Sequence, residues 1–155
     1  MRGIKKRLIA LSVLGAVLIG GTVPASANEM SAFPQQSTAA YSTSYARAIQ
    51  VMLVNYKSLT RSYILNSGGV DGIYGKGVSD GVKAFQSSRG IGVDGICGAN
   101  TWNNFRATLT QISIDQNYRI FRGNSPYFAN QYNMRQYDYY GGNWYTYWSG
   151  WYYVG

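Results

Sequence analysis

Two aspartates offer the chain's most regular chemistry: Asp71 and Asp94 recur 23 residues apart, in Val70-Asp71-Gly72-Ile73 and Val93-Asp94-Gly95-Ile96. A pair of carboxylates can serve as acid and base in glycoside cleavage, and a single one can accept hydrogen bonds from a ligand or from its own backbone. The remaining inventory argues against catalysis. There is no histidine, which removes Ser-His and Cys-His nucleophile pairs and the imidazole ligands of a catalytic zinc. Glu29 is the sole glutamate, and the other acids are Asp80, Asp115 and Asp138. Cys97 has no histidine partner and reads as a small buried hydrophobe rather than a reactive or intermolecular thiol. No catalytic residue, metal site or cofactor is expected, which leaves recognition by hydrogen bonds and rings.

The elements that would hold these aspartates follow from the repeat. Asp71-Gly72-Ile73-Tyr74-Gly75 aligns with Asp94-Gly95-Ile96-Cys97-Gly98, and each unit reads as a turn that leads into a helix. The glycine after each aspartate can take positive φ, the carboxylate can accept local N–H groups, and the isoleucine is expected to enter the core. Val78, Val82 and Phe85 give the first of these helices its apolar stripe; Trp102, Phe105 and Leu109 give the second, with Asn100 as an able N-cap. Neither stripe is buried by its own unit, so the two must pack on each other and on an earlier helix. That helix begins at Ser44, with Ala46, Ile49, Leu53 and Tyr56 on one face and Arg47, Gln50 and Lys57 elsewhere. Residues 58–69 read as a long connection ending in Ser67-Gly68-Gly69. The fold class is therefore mainly α: a small three-helix module over residues 44–112, preceded by a flexible linker over 28–43 and followed by a segment of different composition from 113 to 155.

At the N-terminus, Arg2, Lys5, Lys6 and Arg7 precede an apolar run from Leu8 to Ile19 and the small-x-small triplet Ala25-Ser26-Ala27, the pattern of a secretory signal peptide over residues 1–27. The run is too short for a transmembrane anchor. Without this segment the formal net charge of +8 falls to +4, and the remaining cations are scattered singly from Arg47 to Arg135. Such a distribution is a poor nucleic-acid footprint and suits an exported protein at an anionic envelope.

Taken together, Ala46-x-x-Ile49-Gln50-x-x-Leu53, Val70-Asp71-Gly72-Ile73-Tyr74-Gly75, Val82-Lys83-Ala84-Phe85-Gln86 and Val93-Asp94-Gly95-Ile96 through Gly98-x-x-Thr101-Trp102 resemble the peptidoglycan-binding domain, a three-helix module found on many bacterial wall enzymes. The likeness spans about Ser44 to Leu109. It departs where Lys76 and Ala99 replace a frequent proline, where Val78 replaces a usual threonine, and in the longer connection before Asp71. The resemblance implies a secreted or wall-associated, non-catalytic binder of cell-wall peptidoglycan, through its glycan strand or stem peptides, with a separate wall hydrolase as a conceivable partner. Candidate ligand contacts are Gln50, Gln86 and Arg89 as donors at an inter-helix groove, Asp71 and Asp94 as acceptors, and Tyr74 and Trp102 as rings. For each, the alternative is internal: a self-bonded turn, a solvated helix face, or core packing.

Fifteen of the last 38 residues are aromatic, too many rings and too few aliphatic side chains for an ordinary core. Glycine-bearing breaks at Gly141-Gly142 and Gly150 divide Tyr/Trp runs, the pattern of short antiparallel strands docked on the module, with low-complexity disorder as the alternative. Trp144, Trp148 and Trp151 are the candidate platform for sugar rings. The rival reading is a structural or membrane-active exported protein whose aromatic tail assembles or inserts, with the module as its address; a minimal hydrolase using aspartates is a third.

Overall fold

The computed structural model describes residues 30–115, 118–123, 134–137 and 143–154. The expected signal peptide, residues 1–27, lies outside the described residues. Four α-helices, α1 (Thr43–Val54), α2 (Ser58–Leu65), α3 (Lys76–Arg89) and α4 (Ala99–Ala107), precede an antiparallel sheet of five strands. These are β1 (Leu109–Asp115), β2 (Tyr118–Gly123), β3 (Met134–Tyr137), β4 (Trp144–Tyr147) and β5 (Trp151–Tyr153), paired in sequence order. The mainly helical expectation thus holds for the module but not for the whole chain.

α1, α3 and α4 stand where helices are expected, although Tyr56 lies past the end of α1 and Leu109, expected to close the third stripe, instead begins β1; the added helix is α2. It falls within residues 58–69, which read as a connection from their mixed composition and Ser67-Gly68-Gly69 ending; only Thr60 and Ile64 of α2 are buried, a stripe too sparse to register as a period. Its start is fixed by side-chain chemistry: the Lys57 N–H donates to Thr60 Oγ1 (3.1 Å), and the Thr60 hydroxyl lies 2.7 Å from the Leu53 carbonyl at the end of α1. α2 packs on α3 at Gly77 and Gly81, where a Cβ would run into Ser67 or crowd Leu53. α4 begins one residue after Gly98, so Gly98 rather than Asn100 is its N-cap. Asn100 instead accepts from Asn104 through its carbonyl (2.9 Å).

The expected linker over residues 28–43 is corrected within its described part. Met30, Phe33 and Gln36 are buried, and Gln36 exchanges two backbone hydrogen bonds with Cys97 (3.1 and 2.9 Å). Phe33 meets Trp102 edge-on at 5.1 Å, and the Trp102 indole N–H donates to the Pro34 carbonyl at 3.2 Å. Aperiodic sequence conceals this strap because its contacts fall at irregular intervals and belong to a partner surface rather than to a helix or strand of its own.

The sheet shares the helical core. Phe121, Met134, Trp144 and Val154 join Ala48, Met52, Phe85 and Phe105 in one buried cluster. Ser44 donates to the Val154 carbonyl (3.3 Å), Arg47 lies over the Tyr152 ring (4.4 Å), and Arg106 lies over Phe121 (4.6 Å). This docking explains why α1 is buried well beyond one stripe, including Ala48, Val51, Met52 and Val54. A short sheet rich in rings needs such support, since isolated hairpins are marginal in water.

Candidate functional site: the twin turns and the cleft beside them

Each repeated turn is closed by a glutamine from a helix. In the first, Asp71 Oδ1 accepts the Ile73 N–H (2.8 Å) and the Gln50 amide (2.7 Å), while Gln50 Oε1 accepts the Gly72 N–H (2.8 Å). In the second, Asp94 Oδ1 accepts the Ile96 N–H (2.8 Å) and the Gln86 amide (2.8 Å), while Gln86 Oε1 accepts the Asp94 and Gly95 N–H groups (3.1 and 2.9 Å). Gly72 and Gly95 sit at φ 84° and 74°, where an L side chain is strained. The Ile96 N–H, and after it the Gln86 amide, hold the Asp94 carboxyl below the usual aspartate range.

These contacts correct the assignment of several ligand candidates. Gln50 and Gln86 are buried, not placed at an open groove, and both of their amide ends are engaged within the protein. The isoleucine does not enter the core: Ile73 is 54% exposed, and the following Tyr74 and Cys97 are the buried residues. Tyr74 donates its hydroxyl to the Gly95 carbonyl (3.0 Å), tying one turn to the other, and burial raises its pKa well above the ordinary phenol range. Cys97 is a free thiol, fully buried, whose pKa burial pushes up. Trp102 is likewise fully buried. Asp71 and Asp94 remain exposed but bonded within their turns, and Arg89 is exposed with its Nε donating to Asn104 (3.1 Å). The glutamine-to-aspartate spacing is 21 residues in one unit and 8 in the other, so an alignment at a fixed offset misses that the two clamps are equivalent.

Among the described residues, a cleft of about 430 Å³ lies between α2 and α3. Leu59 and Tyr63 supply apolar faces; Asn66, Ser67, Lys76 and Asp80 supply donors and acceptors. Lys76 and Asp80 form an ion pair one helical turn apart, with the lysine side chain 89% exposed. The shared hydrogen bond lowers the Asp80 pKa and raises that of Lys76. Apolar surface beside a few polar groups is the general make-up of a small-ligand site.

Residues 43–104 match the family described as putative peptidoglycan binding domain. This segment is a peptidoglycan-binding domain. The match runs from the start of α1 into α4, covers both glutamine-closed turns, and stops before the sheet. No curated protein and no solved structure matches the chain.

On the sheet, the expected tryptophan platform is divided. Trp144 is fully buried against Phe121 (5.1 Å) and Trp148 packs on the core, while Trp151 is half-buried on β5. Alternation decides this: within Trp-Tyr-Thr-Tyr the first and third side chains turn to the helices and the tyrosines turn outward. Among the described residues no helix is long and apolar enough to cross a membrane, and no cluster of metal-ligating side chains occurs.

Proposed function

We propose that the protein is exported to the bacterial wall and binds peptidoglycan there without cleaving it, using the α2–α3 cleft of its peptidoglycan-binding domain. The observation that carries this reading is the family match over residues 43–104, which includes α2 and α3, the helices that form the cleft. The described turn aspartates support the non-catalytic part. Asp71 and Asp94 are committed to their own turns, and hydrogen bonds hold the carboxyls of Asp80 and Asp94 below the usual aspartate range, opposite to what a glycosidase acid requires. Lys76 gives the cleft a cation for stem-peptide carboxylates, and Tyr63 offers a ring to an N-acetylated sugar.

The test is co-sedimentation with purified insoluble peptidoglycan, using the wild type and a Tyr63→Ala/Lys76→Ala pair. Wild-type protein is expected in the pellet, the double variant mostly in the supernatant, and no soluble muropeptide is expected on long incubation. Wild-type protein left in the supernatant refutes wall binding. Equal pelleting of the variant refutes the cleft, and released muropeptides refute the absence of catalysis.

A further inference from the structure

The outward face of the sheet is built unlike the face that docks on the helices. Tyr118, Arg135, Tyr145, Tyr147, Trp151 and Tyr153 share it by register: Arg135 is opposite Tyr145, Tyr145 opposite Tyr153, and Tyr147 opposite Trp151. The rings meet edge to face at 5.8 Å (Tyr118–Tyr145), 5.8 Å (Tyr145–Tyr153) and 5.3 Å (Tyr147–Trp151). The Arg135 guanidinium lies in their midst, 4.1 Å from the Tyr118 centroid, 4.3 Å from Trp151 and 5.0 Å from Tyr145. Its Nε is buried with no hydrogen-bond partner, and among the described residues it forms no ion pair. Tyr147 and Tyr153 are 43% and 54% exposed, so the rings form an accessible rim around a cationic floor.

We propose that this face is a second saccharide site, which takes a carboxylate-bearing amino-sugar strand such as peptidoglycan glycan stripped of its stem peptides, whose lactyl carboxylates are free. The proposal rests on the wall-binding reading for the identity of the polymer, but the surface argues its chemistry independently. Exposed tyrosine and tryptophan faces stack on the C–H faces of pyranose rings while phenol tips bond hydroxyls. A guanidinium held by rings keeps its charge and favours a carboxylate over a neutral group. By register this face carries Arg122 and Arg135 against one aspartate, Asp115, a positive balance that complements an anionic strand, whereas Arg119 lies on the opposite side. The aliphatic side chain that strand pairing places on this face is Ile120, and it is buried, which leaves little of the surface a lipid or an amphipathic helix would need. With the helical cleft as the other foothold, one chain could hold a polymer at two points and gain avidity without a new contact.

The decisive measurement titrates a peptide-free hexasaccharide of alternating N-acetylglucosamine and N-acetylmuramic acid into the protein, read by tryptophan fluorescence and by calorimetry. A saturable response is expected, weakened on the order of tenfold or more by Tyr147→Ala/Trp151→Ala and restored by Trp151→Phe in place of Trp151→Ala. Chitohexaose, which lacks the carboxylates, is expected to bind more weakly, with the difference closing at high salt. Should the alanine pair lower the melting temperature, Tyr153→Ala, at an exposed ring, carries the comparison. No response from the wild type, or an equal response from the ring variants, overturns the site. Because the cleft variant is judged on whole peptidoglycan, a silent hexasaccharide titration alongside normal wall sedimentation overturns this inference alone.

Discussion

Replacing Gln86 with leucine removes the second clamp while keeping nearly the same volume. Gln86 is 1% exposed, so water cannot stand in for the lost amide. Its Nε2 has acceptors in Asp94 Oδ1 (2.8 Å), the Ile96 carbonyl (2.9 Å) and Thr101 Oγ1 (3.0 Å), three sites for two hydrogens. Its Oε1 holds the Gly95 N–H, which is buried, and the Asp94 N–H, which is partly open. An orphaned buried N–H costs about 1–3 kcal/mol, and a bond to a carboxylate contributes about 1.5–3 kcal/mol, discounted here because Asp94 is exposed. The expected loss is therefore about 3 kcal/mol, equivalent to a melting-point drop of roughly 10 °C or more for a chain this small. Urea unfolding followed by circular dichroism and a thermal scan would measure it, with Arg89→Ala as a surface control expected to stay within about 0.5 kcal/mol of wild type. A Gln86→Leu protein as stable as that control would refute the clamp as a determinant of the fold.

Trp144→Ala should cost about 3–5 kcal/mol, as expected for emptying a fully buried indole site, whereas Trp151→Ala should leave the melting temperature nearly unchanged; calorimetry separates the two. Asp94 has a folded pKa below its unfolded value, so its contribution is present above the unfolded carboxylate range and is lost as pH falls through the folded pKa; Asp94→Asn should flatten the stability profile in that acid window. Cys97 should resist a thiol reagent in native buffer and react in denaturant, since burial both shields the thiol and disfavours thiolate; immediate native labelling would contradict its packing. Gly95→Ala should destabilise by about 1–3 kcal/mol, because the new Cβ meets Ser79 at a backbone φ of 74°; equal unfolding midpoints would show that the turn can relax.

What the sequence determined by itself was local and periodic. The 3.6-residue stripes of α1, α3 and α4, the Asp-Gly turns with their self-accepting carboxylates, and the strand character of the Tyr/Trp runs follow from side-chain spacing and turn chemistry. The order of those motifs was enough to resemble the domain that residues 43–104 match. Tertiary structure decided whatever depended on which surface arrives opposite. Ile73 looks like a core residue and Tyr74 like a ligand ring, but the turn's direction exposes the first and sends the phenol to Gly95. Gln50 and Gln86 look like free donors on polar faces until distant turns fold over them, at unequal separations that a fixed repeat does not encode. Trp144 and Trp151 lie in equivalent aromatic runs, yet strand alternation and the face chosen by the helices bury one and leave the other at the outer surface. A side chain's chemistry is written at its own position, whereas its availability is fixed by residues that reach it only through long-range packing.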